Sequence, residues 1–372
     1  MELKIMHTGD IHIGMKFKKY PELVRKGLIE ARFQVIQNMI EKANLEQCNL
    51  FVIAGDLFDK INIPKRDILK VIDILKGFAG DCLVVMPGNH DYDNGMVELW
   101  ERFEENMGDN MLLVNEMRPY RLNDFNLDLT IYPAVCQSKH SEKNNLGWIR
   151  ELEMEDDDNL KLGLAHGALA GLSPDPDQKY YNMSTTELEE MGLDLWLLGH
   201  THVPYPAKKE VTGRRIYNAG TPEPDGMDCG HPGQAWLIRV HNNKIEANQI
   251  ETGKYRFYDQ EYTVKNQEDF AKIKDEFLED NPEEKLVRLH LAGRVDEQLF
   301  AEKEDFYKQF RDKLAYFVPE DGGLKVRITS DTIEDEFTTG SFPQRLLGEL
   351  AKEEEDEGAL QLAYELIREV QK

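Results

Sequence analysis

Short apolar runs recur through the first two thirds of the chain, and most stop abruptly at Gly, Asp or Asn. They predict strands at Leu3–Met6, Leu50–Ala54, Leu83–Met86, Thr130–Tyr132, Leu160–Ala165, Leu195–Leu198, Arg215–Asn218, Ala235–Val240 and Lys244–Ile250. Near-continuous apolar runs fit strands buried on both faces. Between the early runs the period changes. Phe33, Ile36, Ile40 and Ala43 share one helical face over Ala31–Leu45, and Ile68, Val71, Ile72, Leu75 and Phe78 follow Pro64 at a first helical position. Ser184-Thr185-Thr186-Glu187 reads as a capping box for a short helix ending near Gly192. Strand–helix–strand units predict a largely parallel sheet. The later strands come without long helices and predict a second, more antiparallel sheet packed on the first. The expected fold class is α/β, a four-layer α/β/β/α sandwich.

The pattern changes near Tyr255. Residues 256–335 read as a small α+β unit, with helices at Asp269–Leu278 and Phe300–Leu314 and strands at Leu286–Leu291 and Leu324–Ile328. Residues 336–372 read as a loop and then one or two amphipathic helices around the acid run Glu353–Glu357. Leu346, Leu347, Leu350, Leu360, Leu362, Ala363 and Leu366 give them an apolar side. That side either packs on its own domain or docks a partner chain.

Charge narrows the choice of substrate. The 372 residues carry a formal net charge of −25. Residues 261–372 hold 29 acidic and 16 basic side chains, so the excess is concentrated in the last third. Sequence-independent nucleic-acid binders are usually basic, which counts against unaided grip on nucleic acid. Cys48, Cys82, Cys136 and Cys229 are far apart and form no CxxC, so reduced thiols are expected rather than a thiolate zinc site. The opening MELKIMHTGD lacks a long apolar signal region, and no run is long enough to span a membrane; a cytoplasmic location is expected.

Five polar clusters close apolar runs: Asp10-Ile11-His12, Gly55-Asp56-Leu57-Phe58-Asp59, Gly88-Asn89-His90-Asp91, Ala165-His166-Gly167 and Gly199-His200-Thr201-His202. In α/β sheets chemistry gathers beyond the carboxyl ends of strands. Singly, each cluster has a plain explanation, such as a turn cap or a structural histidine. Together they supply carboxylate, imidazole and amide ligands for a pair of divalent cations. That donor set suits Mn²⁺ or Fe²⁺, with Mg²⁺ also acceptable, better than Ca²⁺. Two cations held by a shared carboxylate suit in-line phosphoryl displacement by an acidified water.

In order and spacing the clusters resemble the calcineurin-like metallophosphoesterase superfamily. The resemblance implies that Asp10, His12 and His202 bind one metal, that Asn89, His166 and His200 bind the other, and that Asp56 bridges both. It implies that His90 faces the scissile phosphate without binding metal, with Asp91 and Asp59 supporting the ligands. The wording K-I-M-H-T-G-D-I-H-I-G, F-V-I-A-G-D-L-F-D, V-M-P-G-N-H-D, L-L-G-H-T-H-V-P and I-Y-N-A-G-T-P-E resembles the DNA-repair exonuclease branch typified by the SbcD nuclease subunit. That branch implies a DNA substrate, single- or double-stranded, with both exonuclease and endonuclease cleavage. It also implies a cap domain, a homodimer and an SbcC-like coiled-coil ATPase partner. No G-x-x-x-x-G-K-[ST] occurs here, so any ATP-driven step belongs to a partner. One departure is the acidic turn Glu223-Pro224-Asp225-Gly226-Met227-Asp228, where the branch is often basic. Two basic clusters, Lys16, Lys18, Lys19, Arg25 and Lys26, then Lys208, Lys209, Arg214 and Arg215, follow metal-bearing loops and are candidates for backbone phosphate. Tyr180 and Tyr181 are candidates for base stacking. A small-molecule or cyclic-nucleotide phosphodiesterase of the same fold is the alternative, and an inactive scaffold a third reading.

Overall fold

The computed structural model describes residues 2–370 apart from 155–156, 174, 176, 243 and 353–356, so most of the acid run lies outside the described residues. The chain divides into two compact units, Met1–Phe257 and Tyr258–Lys372. The first unit runs β1 (Leu3–Thr8), α1 (Glu22–Leu45), β2 (Leu50–Ala54), α2 (Lys65–Leu75), β3 (Cys82–Met86), α3 (Glu98–Glu104), β4 (Met111–Leu113), β5 (Tyr120–Arg121) and β6 (Leu129–Ala134). It continues α4 (Gly147–Glu151), β7 (Leu160–His166), α5 (Thr185–Glu190), β8 (Leu195–Gly199), β9 (Glu210–Thr212), β10 (Ile216–Asn218), β11 (Gln234–His241) and β12 (Lys244–Glu251).

These strands form two sheets, ordered β4-β3-β2-β1-β11-β12-β9 and β10-β8-β7-β6-β5. Strands β1 to β4 are parallel, and so are β6, β7, β8 and β10. The expectation that the second sheet would be the more antiparallel one is corrected. The late hairpin β11–β12 and the edge strand β9 add antiparallel to the first sheet, beside β1. The short helices α4 and α5 suffice as crossovers between the parallel strands of the second sheet.

Alternation along each strand makes the layers. Ile5, Val52, Val84, Leu129, Leu162, Leu164, Leu197 and Trp236 pack between the two sheets. Met6, Phe51, Ile53 and Val85 point the other way, onto Ile36, Ile40, Val71, Ile72, Trp100 and Phe103 of α1, α2 and α3. Ala165, Trp196 and Leu198 pack outward with Ile149 of α4 and Leu188 of α5. The four layers are therefore helices, sheet, sheet and helices. Helix α1 starts at Glu22, nine residues before its most periodic part; its buried residues begin at Leu28, so its first turns are the less packed ones. Ser184 accepts the Glu187 backbone N–H at the head of α5, but the capping box is only half formed, since the Glu187 carboxylate accepts from Asn144 and Arg150.

The second unit has a three-stranded sheet ordered β13-β14-β15, built from β13 (Arg256–Val264), β14 (Lys285–Val295) and β15 (Tyr316–Val326). Helices α6 (Gln267–Leu278) and α7 (Glu297–Lys313) cover one face through Phe270, Phe277, Phe306 and Phe310. Strand β15 starts well before the expected Leu324. Pro319 and two glycines disguise its first half, and an edge strand tolerates them. Three helices follow: α8 (Ser330–Glu336), α9 (Phe342–Leu350) and α10 (Glu357–Val370). Ile333, Phe337, Leu347 and Leu360 give them a small core of their own, while Phe342, Leu362, Leu366 and Val370 stay exposed. Among the described residues no helix is long and apolar enough to cross a membrane. All four cysteines are buried and free.

Candidate metal centre

The five clusters converge because the parallel strands β1, β2 and β3 of one sheet and β7 and β8 of the other end at the same rim. Glycines let the two sheets close there. A Cβ on Gly55 would collide with the His166 ring, and one on Gly199 with the Ala54 carbonyl. The loops leave the strands under strain: Asp10, His12, Asp56 and His200 have φ of 54°, 54°, 52° and 94°. Left-handed backbone is uncommon outside glycine and concentrates where a fold over-determines a functional loop. Asp10 and His12 donate backbone N–H bonds to the Gly55 and Asp56 carbonyls, which zips the first two loops together.

The side chains form adjoining groups. Asp10, His12 and His202 offer ligand atoms within 4.8 Å of one another, and so do Asp56, His166 and His200; a further group joins His12, Asp56 and His90. Asp56 links them. Its Oδ1 accepts the His90 backbone N–H at 2.8 Å, while Oδ2 lies 3.4 Å from His166 Nε2 and 3.8 Å from His12 Nε2. Asn89, which is buried, presents Oδ1 to His166 Nε2 at 3.0 Å and to His200 Nδ1 at 2.9 Å, and its amide donates to the Lys139 carbonyl. The backbone N–H of His200 donates to both oxygens of Asp10.

The donor set fits divalent cations. His166 Nδ1 donates to the Ala54 carbonyl at 2.8 Å, so its Nε2 is the nitrogen turned toward Asn89 and Asp56. His12 and His202 bring their Nε2 atoms within 3.1 Å of each other, and the buried His12 Nδ1 has no hydrogen-bond partner among the described residues. Lone pairs facing lone pairs are what a cation relieves. Protons can take part of that role. Burial pushes the His166 imidazole down, but the Asp56 carboxylate outweighs it and holds the group up at about 9. Burial likewise opposes His202, and the hydrogen bond to Asp225 lifts it to about 9. Burial raises Asp10 to about 6 and lowers His200 to about 3.

The supporting residues act mainly through the backbone. Asp91 is fully buried and accepts the Phe58 and Gly88 N–H groups, tying the second loop to the third. The Asp59 carbonyl, rather than its carboxylate, lies 3.0 Å from His90 Nδ1 and fixes that ring.

Sequence reasoning missed two residues. Arg32 of α1 is 1% exposed; it donates to the Ile11 carbonyl at 3.0 Å and the Pro224 carbonyl at 3.3 Å. Asp225 accepts from His202 Nδ1 at 2.8 Å. Arg32 sits in a helical stretch that reads as ordinary surface, and Asp225 gives no signal except its place in the acidic turn.

The other candidates separate. Lys16, Lys18 and Lys19 lie in the loop after His12 and, with Arg25, have no ion-pair partner among the described residues; Lys26 pairs with Glu22. The second basic cluster is split, and its arginines lie away from the rim. Strand β10 runs parallel to β8, with Asn218 beside Leu198, so Arg214 and Arg215 precede its opposite end. Lys209 pairs with Glu251. Tyr181 is buried and hydrogen-bonded to Ser138, a packing residue. Tyr180 instead stacks on the His200 ring, centroids 5.2 Å apart, and also meets His140 at 5.0 Å.

The chain is similar in sequence to known proteins. Over 259 residues the chain is 26% identical to a Bacillus subtilis protein described as uncharacterized metallophosphoesterase YhaO, a match covering 66% of this chain and 59% of that protein. Over 262 residues it is 23% identical to the D component of nuclease SbcCD from Staphylococcus saprophyticus, covering 65% and 67%. Two solved structures align with 67% of the chain and 99% of their own: TT1561 of Thermus thermophilus, at 12% identity and TM-score 0.40, and a dimetal phosphatase from Danio rerio, at 10% and 0.36. The family assignment rests on the chain itself: residues 3–204 carry the match, they include all five polar clusters from Asp10 to His202, and on them the chain belongs to the calcineurin-like phosphoesterase family.

Proposed function

We propose that this chain is a two-metal phosphodiesterase acting on DNA, the nuclease subunit of an SbcCD-type complex. The observation that carries the two-metal part is the sharing of Asp56 Oδ2 between His12 and His166. On this reading Asp10, His12 and His202 hold one cation, Asn89, His166 and His200 the other, and Asp56 reaches both. Bound cations, Mn²⁺ being the best match to the donors, would supply an acidified water and neutralise phosphate charge.

The chain's own groups do the rest. His90 keeps its ring fixed by donating Nδ1–H to the Asp59 carbonyl, and as an imidazolium it would hold on Nε2 the proton handed to the leaving oxygen. Lys16, Lys18, Lys19 and Arg25 draw in the phosphate backbone beside the first ligand pair. Tyr180 walls the centre on the His200 side and offers a face for a base. The likeness to a named nuclease component supports DNA over a small ester. The exposed Leu362, Leu366 and Val370, four residues apart on α10, support docking of a coiled-coil ATPase. A homodimer and a cytoplasmic location belong to the same reading.

The test is purified protein with Mn²⁺ on labelled single- and double-stranded DNA, against bis-p-nitrophenyl phosphate and cyclic nucleotides. Metal-dependent DNA degradation is expected. Turnover of the small esters alone, with DNA intact even after a candidate ATPase is added, would replace it with the small-molecule phosphodiesterase.

A further inference from the structure

The acidic turn after β10 reads in the sequence as a repulsive feature beside a phosphate site. Its side chains have other work. Glu223 is buried and accepts the backbone N–H groups of Lys254 and Tyr255 at 2.7 and 2.8 Å. Thr221 donates to the Asp10 carbonyl at 2.9 Å. His231 binds the His202 carbonyl through Nε2. Arg32 joins the Ile11 and Pro224 carbonyls, and so fastens this turn to the loop of Asp10 and His12. Asp225 is the part of the turn that reaches a ring nitrogen: its Oδ2 lies 2.8 Å from His202 Nδ1, and its side chain is only 14% exposed.

We infer that Asp225 is the positioning carboxylate of one cation position. This rests on the two-metal reading above and deepens it. A histidine can offer Nε2 to a cation only if its other nitrogen carries the hydrogen and its ring cannot swing away. An acceptor on Nδ1 secures both. The three histidines that close the groups are held differently. His166 is held by a main-chain carbonyl, Ala54. His200 has its Nδ1 turned toward Asn89 within the centre. His202 alone among them, in the described residues, leans on a carboxylate through Nδ1, and that carboxylate is on a turn pinned by Thr221, Arg32 and Glu223. His202 is also the most solvent-accessible of the Asp10, His12 and His202 set, at 33% of its side chain, so it is the ligand most in need of an anchor. The consequence is asymmetry. Loss of the Asp225 carboxylate should weaken the cation beside Asp10, His12 and His202 and leave the one beside Asn89, His166 and His200 in place. The acidic turn then works for the metal centre instead of against the substrate.

The experiment is calorimetric titration of the metal-stripped full-length protein with Mn²⁺ alone, for wild type, Asp225→Asn, Asp225→Glu, His202→Ala and the Asp225→Asn/His202→Ala double variant. The wild type should take two equivalents. In Asp225→Asn one equivalent should weaken by about 10–100-fold, the usual effect of removing an outer partner of a ligating histidine, while the other keeps its affinity. Asp225→Glu should recover part of the loss. In the His202→Ala background the Asp225→Asn change should add little further weakening. Unchanged binding in Asp225→Asn, equal weakening of both equivalents, or an undiminished further loss in the double variant would each overturn the assignment. Wild-type protein that binds no Mn²⁺ would sink the two-metal reading itself, a separate result.

Discussion

Replacing Arg32 with methionine tests whether a buried cation braces this centre. Arg32 is 1% exposed and its guanidinium reaches the carbonyls of Ile11 and Pro224; a third contact, to Thr221 Oγ1 at 3.5 Å, is too long to count. A hydrogen bond from a charged donor contributes about 1.5–3 kcal/mol, so the two close ones together give roughly 3–6 kcal/mol. Methionine fills similar length and removes the desolvation cost of a buried charge, which offsets part of this. It also leaves two carbonyls without their donor and removes one of the cations facing Glu223 and Asp225, which keep Arg256 and His202 respectively. Removing one member of a buried ionic set typically costs about 3–5 kcal/mol, and that is the expected loss for Arg32→Met. Trp100, Trp148, Trp196 and Trp236, the only four tryptophans, all lie in the first unit, so their fluorescence during urea unfolding reports that unit alone. A Met variant within about 1 kcal/mol of wild type would refute the reasoning and show that relief of desolvation balances the lost bonds.

Three further outcomes follow from the site. His90→Ala should retain both Mn²⁺ equivalents and lose turnover by about 10²–10⁴-fold, the usual worth of a positioned proton donor; loss of a cation would instead make His90 a ligand with His12 and Asp56. Tyr180→Leu should keep metal affinity and weaken single-stranded DNA by about 1–3 kcal/mol, with turnover of bis-p-nitrophenyl phosphate as the control; equal losses on both substrates would remove the stacking role. Binding should also depend on pH. His166 and His202 are held at about 9 in the metal-free fold, above the ordinary histidine value, so at pH 7 they carry protons that a cation must displace. Mn²⁺ affinity should therefore rise with pH until about 9 and fall on acidification. Calorimetry at pH 7 in buffers of different ionisation enthalpy should detect release of about two protons, and no release would contradict the assignment.

Much of the catalytic unit was legible one residue at a time. Fully apolar runs such as Leu50–Ala54 and Leu195–Leu198 can be satisfied only by burial on both faces, and a cluster that follows such a strand lies at its carboxyl end whatever the rest of the chain does. That local logic placed Asp10, Asp56, Asn89, His166 and His200 at one rim. It failed where pairing is not local. Nothing in Gln234–His241 says that it will lie beside β1, and nothing in Arg214-Arg215 says that the parallel run of β10 puts them before its far end. The strand Tyr316–Val326 was hidden because edge position, a tertiary property, decides whether Pro319 is tolerated.

Which polar side chains gather at this rim was readable before any folding, since groups able to hold a metal are recognisable by type and spacing. Their support came only from tertiary closure: Arg32 turns inward, the Asp59 carbonyl and not its carboxylate holds His90, and an acidic turn delivers Asp225 to His202. The difference is one of range. Ligand identity is written in one residue, whereas a hydrogen bond between Arg32 and Pro224, or between His202 and Asp225, exists only after two sheets and a long helix have closed around it.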